Sequence, residues 1–328
     1  MSWGRREFLR FAAGGAALVP LALAGCGGDD APPASSAGGS PPRGATSTGS
    51  GASGDRPTPA PPVLALSATP QQVGVGESLR LVARAPGASG VAIDFRSAAY
   101  RMLAVPDGSF WLVLGVPLDA ALASDSLRGS ARDAAGQALA SAELPYTVVA
   151  VDRPADYLTL TPEEASVITQ DATVREADIR GLQFAQFDPL PRWSGFFVRP
   201  TDGAITTLFG QGRSINGGPV GAFHTGVDLA NDAGTPVQVA APGRVAWTGS
   251  MPIRGESVIV DHGAGVKTGY HHLSAITSAV GDEVRAGEVI GLVGMTGLST
   301  GPHLHWELTL WGVNVDPMTW LTTPFGPL

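Results

Sequence analysis

Cysteine and lysine are nearly missing from this chain of 328 residues, which has one of each, Cys26 and Lys267. A single cysteine excludes an intramolecular disulfide framework and any cysteine-rich zinc module. Arginine supplies the rest of the 21 basic residues, and 29 Asp and Glu leave a formal net charge of −8. That balance excludes nucleic-acid binding by counterion release, which needs a basic face. Histidine is scarce too: there are six, all between 224 and 305. What is plentiful is Gly (44) and Pro (27), beside an apolar fraction of 44%. A globular core must therefore coexist with low-complexity sequence.

The first 26 residues read as an address. Arg5 and Arg6 form a positive start, and Phe11 to Gly25 form an apolar stretch broken by Pro20. Fifteen residues are too few to cross a hydrocarbon layer of about 30 Å as a helix, so residues 1–26 read as a signal peptide. Arg5-Arg6-Glu7-Phe8-Leu9-Arg10 resembles a twin-arginine export signal, and Leu23-Ala24-Gly25-Cys26 resembles a bacterial lipobox. The resemblance implies lipidation of Cys26, an exported chain in the cell envelope (periplasm or outer cell surface), and attachment to a membrane through acyl chains. Residues 27–62 are Gly, Ser, Pro, Ala and Thr with hardly a large apolar side chain, which predicts a disordered linker with a reach on the order of 30–36 Å.

The remaining length predicts two globular regions. Residues 63–150 alternate apolar and polar at Leu79 to Ala83, Val91 to Phe95, Phe110 to Val116 and Tyr146 to Val149, with turn residues between. This predicts an Ig-like β-sandwich. Residues 151–193 read as a connector, with a helix over about 162–182 announced by Thr161-Pro162-Glu163-Glu164. From 194 to 328 strands are expected at 236–239, 244–248, 257–261, 268–272, 289–293 and 303–310, a compact antiparallel sheet. The whole is expected to be all-β with a short helical connector.

Every histidine lies in that last region. His224 and Asp228 are four residues apart, and His303 and His305 share one face of a strand. Catalytic zinc favours three nitrogen or oxygen ligands and an open fourth position, a quota that His224, Asp228 and one histidine of the pair would fill. His271 and His272 are adjacent, so on a regular strand one of them enters the site and the other points away.

The segments His224-Thr225-Gly226-Val227-Asp228, Tyr270-His271-His272-Leu273-Ser274 and Gly301-Pro302-His303-Leu304-His305-Trp306-Glu307 resemble the lysostaphin-type, or LytM-type, zinc endopeptidases, which cut peptide crosslinks in bacterial peptidoglycan. The resemblance runs over roughly 195–317. It implies one Zn²⁺ per chain held by His224, Asp228 and His305, with His272 and His303 as catalytic histidines that are not ligands. Peptidoglycan crosslinks are then the substrate. A degenerate member that binds peptidoglycan or regulates another hydrolase is the alternative, disfavoured because all five residues are present. A D-alanyl-D-alanine carboxypeptidase is disfavoured by the spacings.

Overall fold

The computed structural model describes residues 63–186 and 188–327. The expected signal peptide, Cys26 and the 27–62 linker lie outside the described residues.

Alternation of apolar and polar side chains produces nine strands in the first half: β1 Ala65–Thr69, β2 Gln72–Gly74, β3 Ser78–Arg84, β4 Gly90–Phe95, β5 Ala98–Arg101, β6 Leu103–Ala104, β7 Phe110–Gly115, β8 Ser124–Arg132 and β9 Ala138–Val149. They form a four-stranded sheet in the order β1-β3-β7-β6 and a five-stranded sheet in the order β2-β9-β8-β4-β5. Leu79, Leu81 and Ala83 of β3 meet Val91, Ile93 and Phe95 of β4 in one buried cluster. Strand β7 departs from the half-exposed pattern, for all six residues are buried. Phe110, Leu112 and Leu114 enter the sandwich core, while Trp111 and Val113 enter the core of the C-terminal half. A strand covered on both faces loses its polar alternation for that reason. Trp111 Nε1 also donates to the Phe325 carbonyl at 2.9 Å, and Trp320 Nε1 to Ser78 Oγ at 2.9 Å.

Near this junction Glu77 lies 3.5 Å from Arg153 with a quarter of its side chain exposed. Burial, then the nearby Asp316 charge, pushes the Glu77 pKa up to about 7 against the pull of Arg153. The folded chain thus keeps a proton that the unfolded chain releases near 4.5. Stability from this group is full below pH 4.5 and is lost as pH rises through 7. Glu77→Gln should flatten that fall, stabilising the chain by about 1–2 kcal/mol at pH 8. Urea midpoints measured from pH 5 to 8 check this, and parallel curves for the two proteins would contradict it.

The connector holds β10 (Asp156–Leu158) and two helices, α1 (Pro162–Ser166) and α2 (Gln170–Phe184). The Thr161–Glu164 capping box starts α1 with Pro162 in its first turn. The single expected helix is broken because Thr169 adopts an extended backbone and caps a new helix at Ala172 N. Along α2 only Ala172 and Glu176 are buried, so this helix docks mainly through charge. Beneath its C-terminal end Lys267 donates to the carbonyls of Gln183 and Gln186 and lies 3.7 Å from Asp261. A cation at the carbonyl end of a helix is favourable both by hydrogen bonding and by the helix dipole.

The C-terminal half adds β11 (Ala204–Thr207), β12 (Arg213–Ile215), β13 (Val227–Ala230), β14 (Pro236–Gln238), β15 (Gly243–Met251), β16 (Gly255–Gly263), β17 (Val266–Ile276), β18 (Glu283–Val284), β19 (Val289–Val293), β20 (His303–Leu310), β21 (Val313–Val315) and a 3₁₀ turn at Pro317–Leu321. β12 pairs in parallel with β10. The other strands make a ten-stranded sheet in the order β11-β13-β20-β17-β16-β15-β18, with β19 and β14 branching from β17 and β21 from β20. Strand β20 shows how the sheet divides its labour. Leu304, Trp306, Leu308 and Leu310 are buried in the apolar core, each worth about 1.5–3 kcal/mol for a Leu-sized side chain. The intervening His303, His305 and Glu307 line the opposite face.

Candidate metal centre

Pairing across the sheet assembles the histidines. Asp228 on β13 stands opposite His305 on β20, and Ala230 stands opposite His303. On the other flank of β20, His305 stands opposite His271 on β17. His224 comes from the loop entering β13, held by its N–H to the Gln211 carbonyl. Three atoms converge: His224 Nε2, Asp228 Oδ1 and His305 Nδ1, separated by 2.9 Å (His224 to His305), 3.0 Å (His224 to Asp228) and 2.7 Å (His305 to Asp228). Among the described residues, these three form a group able to hold a metal ion.

Outer hydrogen bonds decide which ring nitrogens face inward. His224 Nδ1 donates to the Leu208 carbonyl at 3.1 Å, which leaves Nε2 as a lone pair. His305 Nε2 donates to Glu307 Oε1 at 3.1 Å, which leaves Nδ1 as a lone pair. Arg213 Nη2 binds Asp228 Oδ2 at 3.2 Å, turning Oδ1 inward. Two lone pairs and a carboxylate oxygen at hydrogen-bond distance repel one another unless a cation lies among them. A proton is one such cation: burial opposes it, yet Asp228 and Glu307 on either side raise the His305 pKa. A metal ion is the other, and the donor set of two imidazoles and a carboxylate suits zinc. Burial pushes the His224 pKa down to about 4, which keeps its inner nitrogen unprotonated. There is no room for a side chain at Gly226, where a Cβ would stand 2.5 Å from the Trp306 carbonyl oxygen and 2.8 Å from the His305 ring.

His272 and His303 flank this group with ring centroids 4.8 Å apart. His303 Nδ1 donates to the Gly301 carbonyl at 2.8 Å, and its Nε2 lies 3.8 Å from Asp228 Oδ1. His272 Nδ1 donates to the Thr296 carbonyl at 2.8 Å. Burial first, then the neighbouring His303 and His305, holds the His272 pKa well below its usual value. Its backbone is also unusual, with φ of 61°, a strained conformation for a residue with a Cβ.

That strain accompanies a correction. His271 does not point away from the site, as strand alternation predicts. His271 keeps the regular register opposite His305, and it is His272 that is re-aimed: the two histidines together oppose the single Ser257 of β16, a β-bulge that turns His272 to the same face. His271 is buried beside His305, ring centroids 5.6 Å apart, with Nδ1 at 2.9 Å from Ser257 Oγ and Nε2 at 3.6 Å from Glu307 Oε2. His262 lies elsewhere, buried between the Pro242 carbonyl and Thr268 Oγ1.

A family model for peptidase family M23 matches residues 222–317, the stretch that holds all of these inward-facing histidines and Asp228. Residues 222–317 are a peptidase M23 domain. The M23 domain is 49% identical over 97 residues to the DD-carboxypeptidase/endopeptidase Mpg of Neisseria meningitidis, covering 30% of this chain and 22% of that one. It is 44% identical over 97 residues to the peptidoglycan DD-endopeptidase ShyA of Vibrio cholerae, with coverage of 30% and 23%. The chain thus spans under a quarter of the length of these curated relatives. A solved structure of a peptidase M23 from Pseudomonas aeruginosa is similar over 80% of this chain and 95% of that one, at 28% identity and a TM-score of 0.52.

Several residues around the M23 domain's centre carry no signal in a sequence scan for ligands. Glu307 was within reach, since it follows His305 by two on the same strand and must share its face. Arg213, Arg254, Glu176 and Arg180 were not, because arginine and glutamate outside the motif look like any solvated charge.

Proposed function

We propose that this chain is a zinc-dependent endopeptidase that hydrolyses peptide crosslinks of bacterial peptidoglycan. His224, Asp228 and His305 hold one zinc, and His272 and His303 are the catalytic histidines. The observation that carries the reading is the convergence of His224 Nε2, Asp228 Oδ1 and His305 Nδ1 within 3.0 Å of one another, each held from behind by an outer partner, Leu208, Arg213 and Glu307 respectively. The name of the Vibrio relative, a peptidoglycan DD-endopeptidase, supports the substrate class.

Zinc held there would supply a Lewis acid and lower the pKa of a coordinated water toward about 7. The protein's own part is positioning and proton handling. Because His272 and His303 each commit Nδ1–H to a backbone carbonyl, each keeps Nε2 as the free ring nitrogen. Two imidazoles so placed present Nε2 as the atom that can accept a proton and return it to the leaving amine. His303 has a second brace, Ser299 Oγ at 3.2 Å from Nδ1, which holds its ring near Asp228.

The reading is tested with the purified full chain: zinc per protomer by elemental analysis, and mass spectrometry of sacculi or crosslinked muropeptides before and after digestion. One zinc and release of uncrosslinked stems are expected. A chain without zinc or turnover would instead be a non-catalytic regulator.

The same proposal places the protein in the cell envelope, lipid-anchored at Cys26, on the order of the Arg5-Arg6 start, the short apolar run and Leu-Ala-Gly-Cys. Cys26→Ala should release the exported protein from membranes into the soluble fraction on cell fractionation. Unchanged membrane association of that variant would remove the lipoprotein assignment.

A further inference from the structure

Behind His305 lies a buried network of charges that the proposed chemistry leaves unexplained. Glu307 is 1% exposed, and four groups hydrogen-bond its carboxylate, with His271 Nε2 at 3.6 Å besides. Oε1 accepts from His305 Nε2 at 3.1 Å, from Thr225 Oγ1 at 2.6 Å and from Arg254 Nε at 3.0 Å. Oε2 accepts from Arg180 Nη1 at 2.6 Å. Arg254 is fixed in turn by Glu176, whose carboxylate takes its guanidinium and the backbone N–H groups of Ile253 and Arg254 at 2.8 and 3.0 Å. Arg180 continues to Asn314 Oδ1 at 3.4 Å, and Asn314 Nδ2 donates to the Thr225 carbonyl at 3.1 Å. The network therefore grips the strand of His305 and the residue next to His224 at once.

Glu176 and Arg180 sit four residues apart on α2, outside the residues that the M23 family model matches. The matched domain supplies one buried anion, Glu307, and one buried cation, Arg254. Helix α2 adds the buried Glu176 and the partly buried Arg180, so the four charges sum to zero. Its docking face has no other buried residue than Glu176 and Ala172, so apart from the Lys267 contact at its end the helix meets the sheet mainly through this network. Burying two carboxylates and two guanidiniums is costly unless each is paired and hydrogen-bonded. Such expense at a site touching a metal ligand points to orientation rather than to stability.

We infer that Arg180 of α2 is a positioning residue of the metal centre: its bond to Glu307 Oε2 holds that carboxylate so that Oε1 keeps the proton on His305 Nε2 and the lone pair of Nδ1 aimed at the metal. The connector is thus part of the centre. Partners one step beyond a ligand typically change metal affinity by roughly 10–100-fold. This inference rests on the zinc assignment proposed above.

The test uses the full-length chain with Arg180→Met, which keeps an unbranched side chain but removes the charge and its stacking over the Phe184 ring, and Arg180→Gln, which keeps a neutral donor. Zinc Kd is measured by chelator competition, and the cobalt(II)-substituted forms are compared by their visible spectra. A folded variant should bind zinc about 10–100-fold more weakly, show an altered cobalt spectrum, and gain less in Tm on adding zinc. A residue that serves the fold alone would lower the Tm of the metal-free chain and leave Kd and spectrum untouched. Wild-type Kd and spectrum in either folded variant overturns the inference while the zinc assignment stands. If Arg180→Met does not fold, Arg180→Gln decides. A wild-type chain that takes up no zinc overturns the assignment itself, and this inference with it.

Discussion

His305→Ala should leave the chain folded and without zinc, and hydrolysis of crosslinked muropeptide should vanish with the metal. His305 Nδ1 stands 2.7 Å from Asp228 Oδ1 and 2.9 Å from His224 Nε2, so its removal strips one of three donors from the proposed site. Two protein ligands hold zinc poorly, and the loss should exceed the roughly 10–100-fold typical of outer partners. The sheet should survive. Strand β20 is gripped by β13 on one side and β17 on the other, and its apolar residues lie on the far face from His305. Elemental analysis after dialysis, beside a far-ultraviolet circular dichroism spectrum, reads both outcomes. Stoichiometric zinc in the variant would sink the ligand assignment.

A contrasting result is expected from His272→Ala and His303→Ala. Both should keep zinc and lose roughly 10²–10⁴-fold in turnover, the range for a lost proton-transfer group. Neither ring contributes to the three converging atoms. Each is instead locked by an Nδ1 bond to a carbonyl, Thr296 for His272 and Gly301 for His303. Zinc loss from His303→Ala would mean that the wrong histidine of the β20 pair is the ligand. His271 makes a third comparison. With His272 in the site, alternation would turn His271 away, but it is fully buried beside His305 and Glu307, so His271→Ala should also reduce turnover through misplacement of its neighbours.

The centre was legible in the sequence wherever geometry follows from spacing. Period-two logic puts His303 and His305 on one face of β20, and that is where they are. The same logic failed one strand away at His271 and His272, because it assumes an unbroken ladder. The two-against-one pairing opposite Ser257 depends on β16, and no local pattern announces it. The strand carrying Asp228, Val227–Ala230, also escaped the reading, being only four residues long and flanked by glycine and asparagine. In the first half, the fully apolar Phe110 to Val116 run signalled a strand but not that its two faces serve two cores. The charged clamp from α2 was invisible for a different reason. Its pairs span 127 and 78 residues, and a single sequence carries no record of contacts at that distance.

Lys267 gives the protein an unusual experimental handle. It is the chain's single lysine, it is 3% exposed, and it sits on β17 between two hydrogen-bonded neighbours, β16 and β20. A lysine-specific protease therefore has one cleavable bond in the whole molecule, and that bond lies within a central strand. Cutting requires the strand to leave the sheet, so the two-fragment pattern on a gel counts molecules that have opened globally. Fraying of loops and ends, which dominates ordinary digestion, goes unrecorded. The rate of appearance of those fragments thus measures the opening equilibrium of this sheet under native conditions, without denaturant.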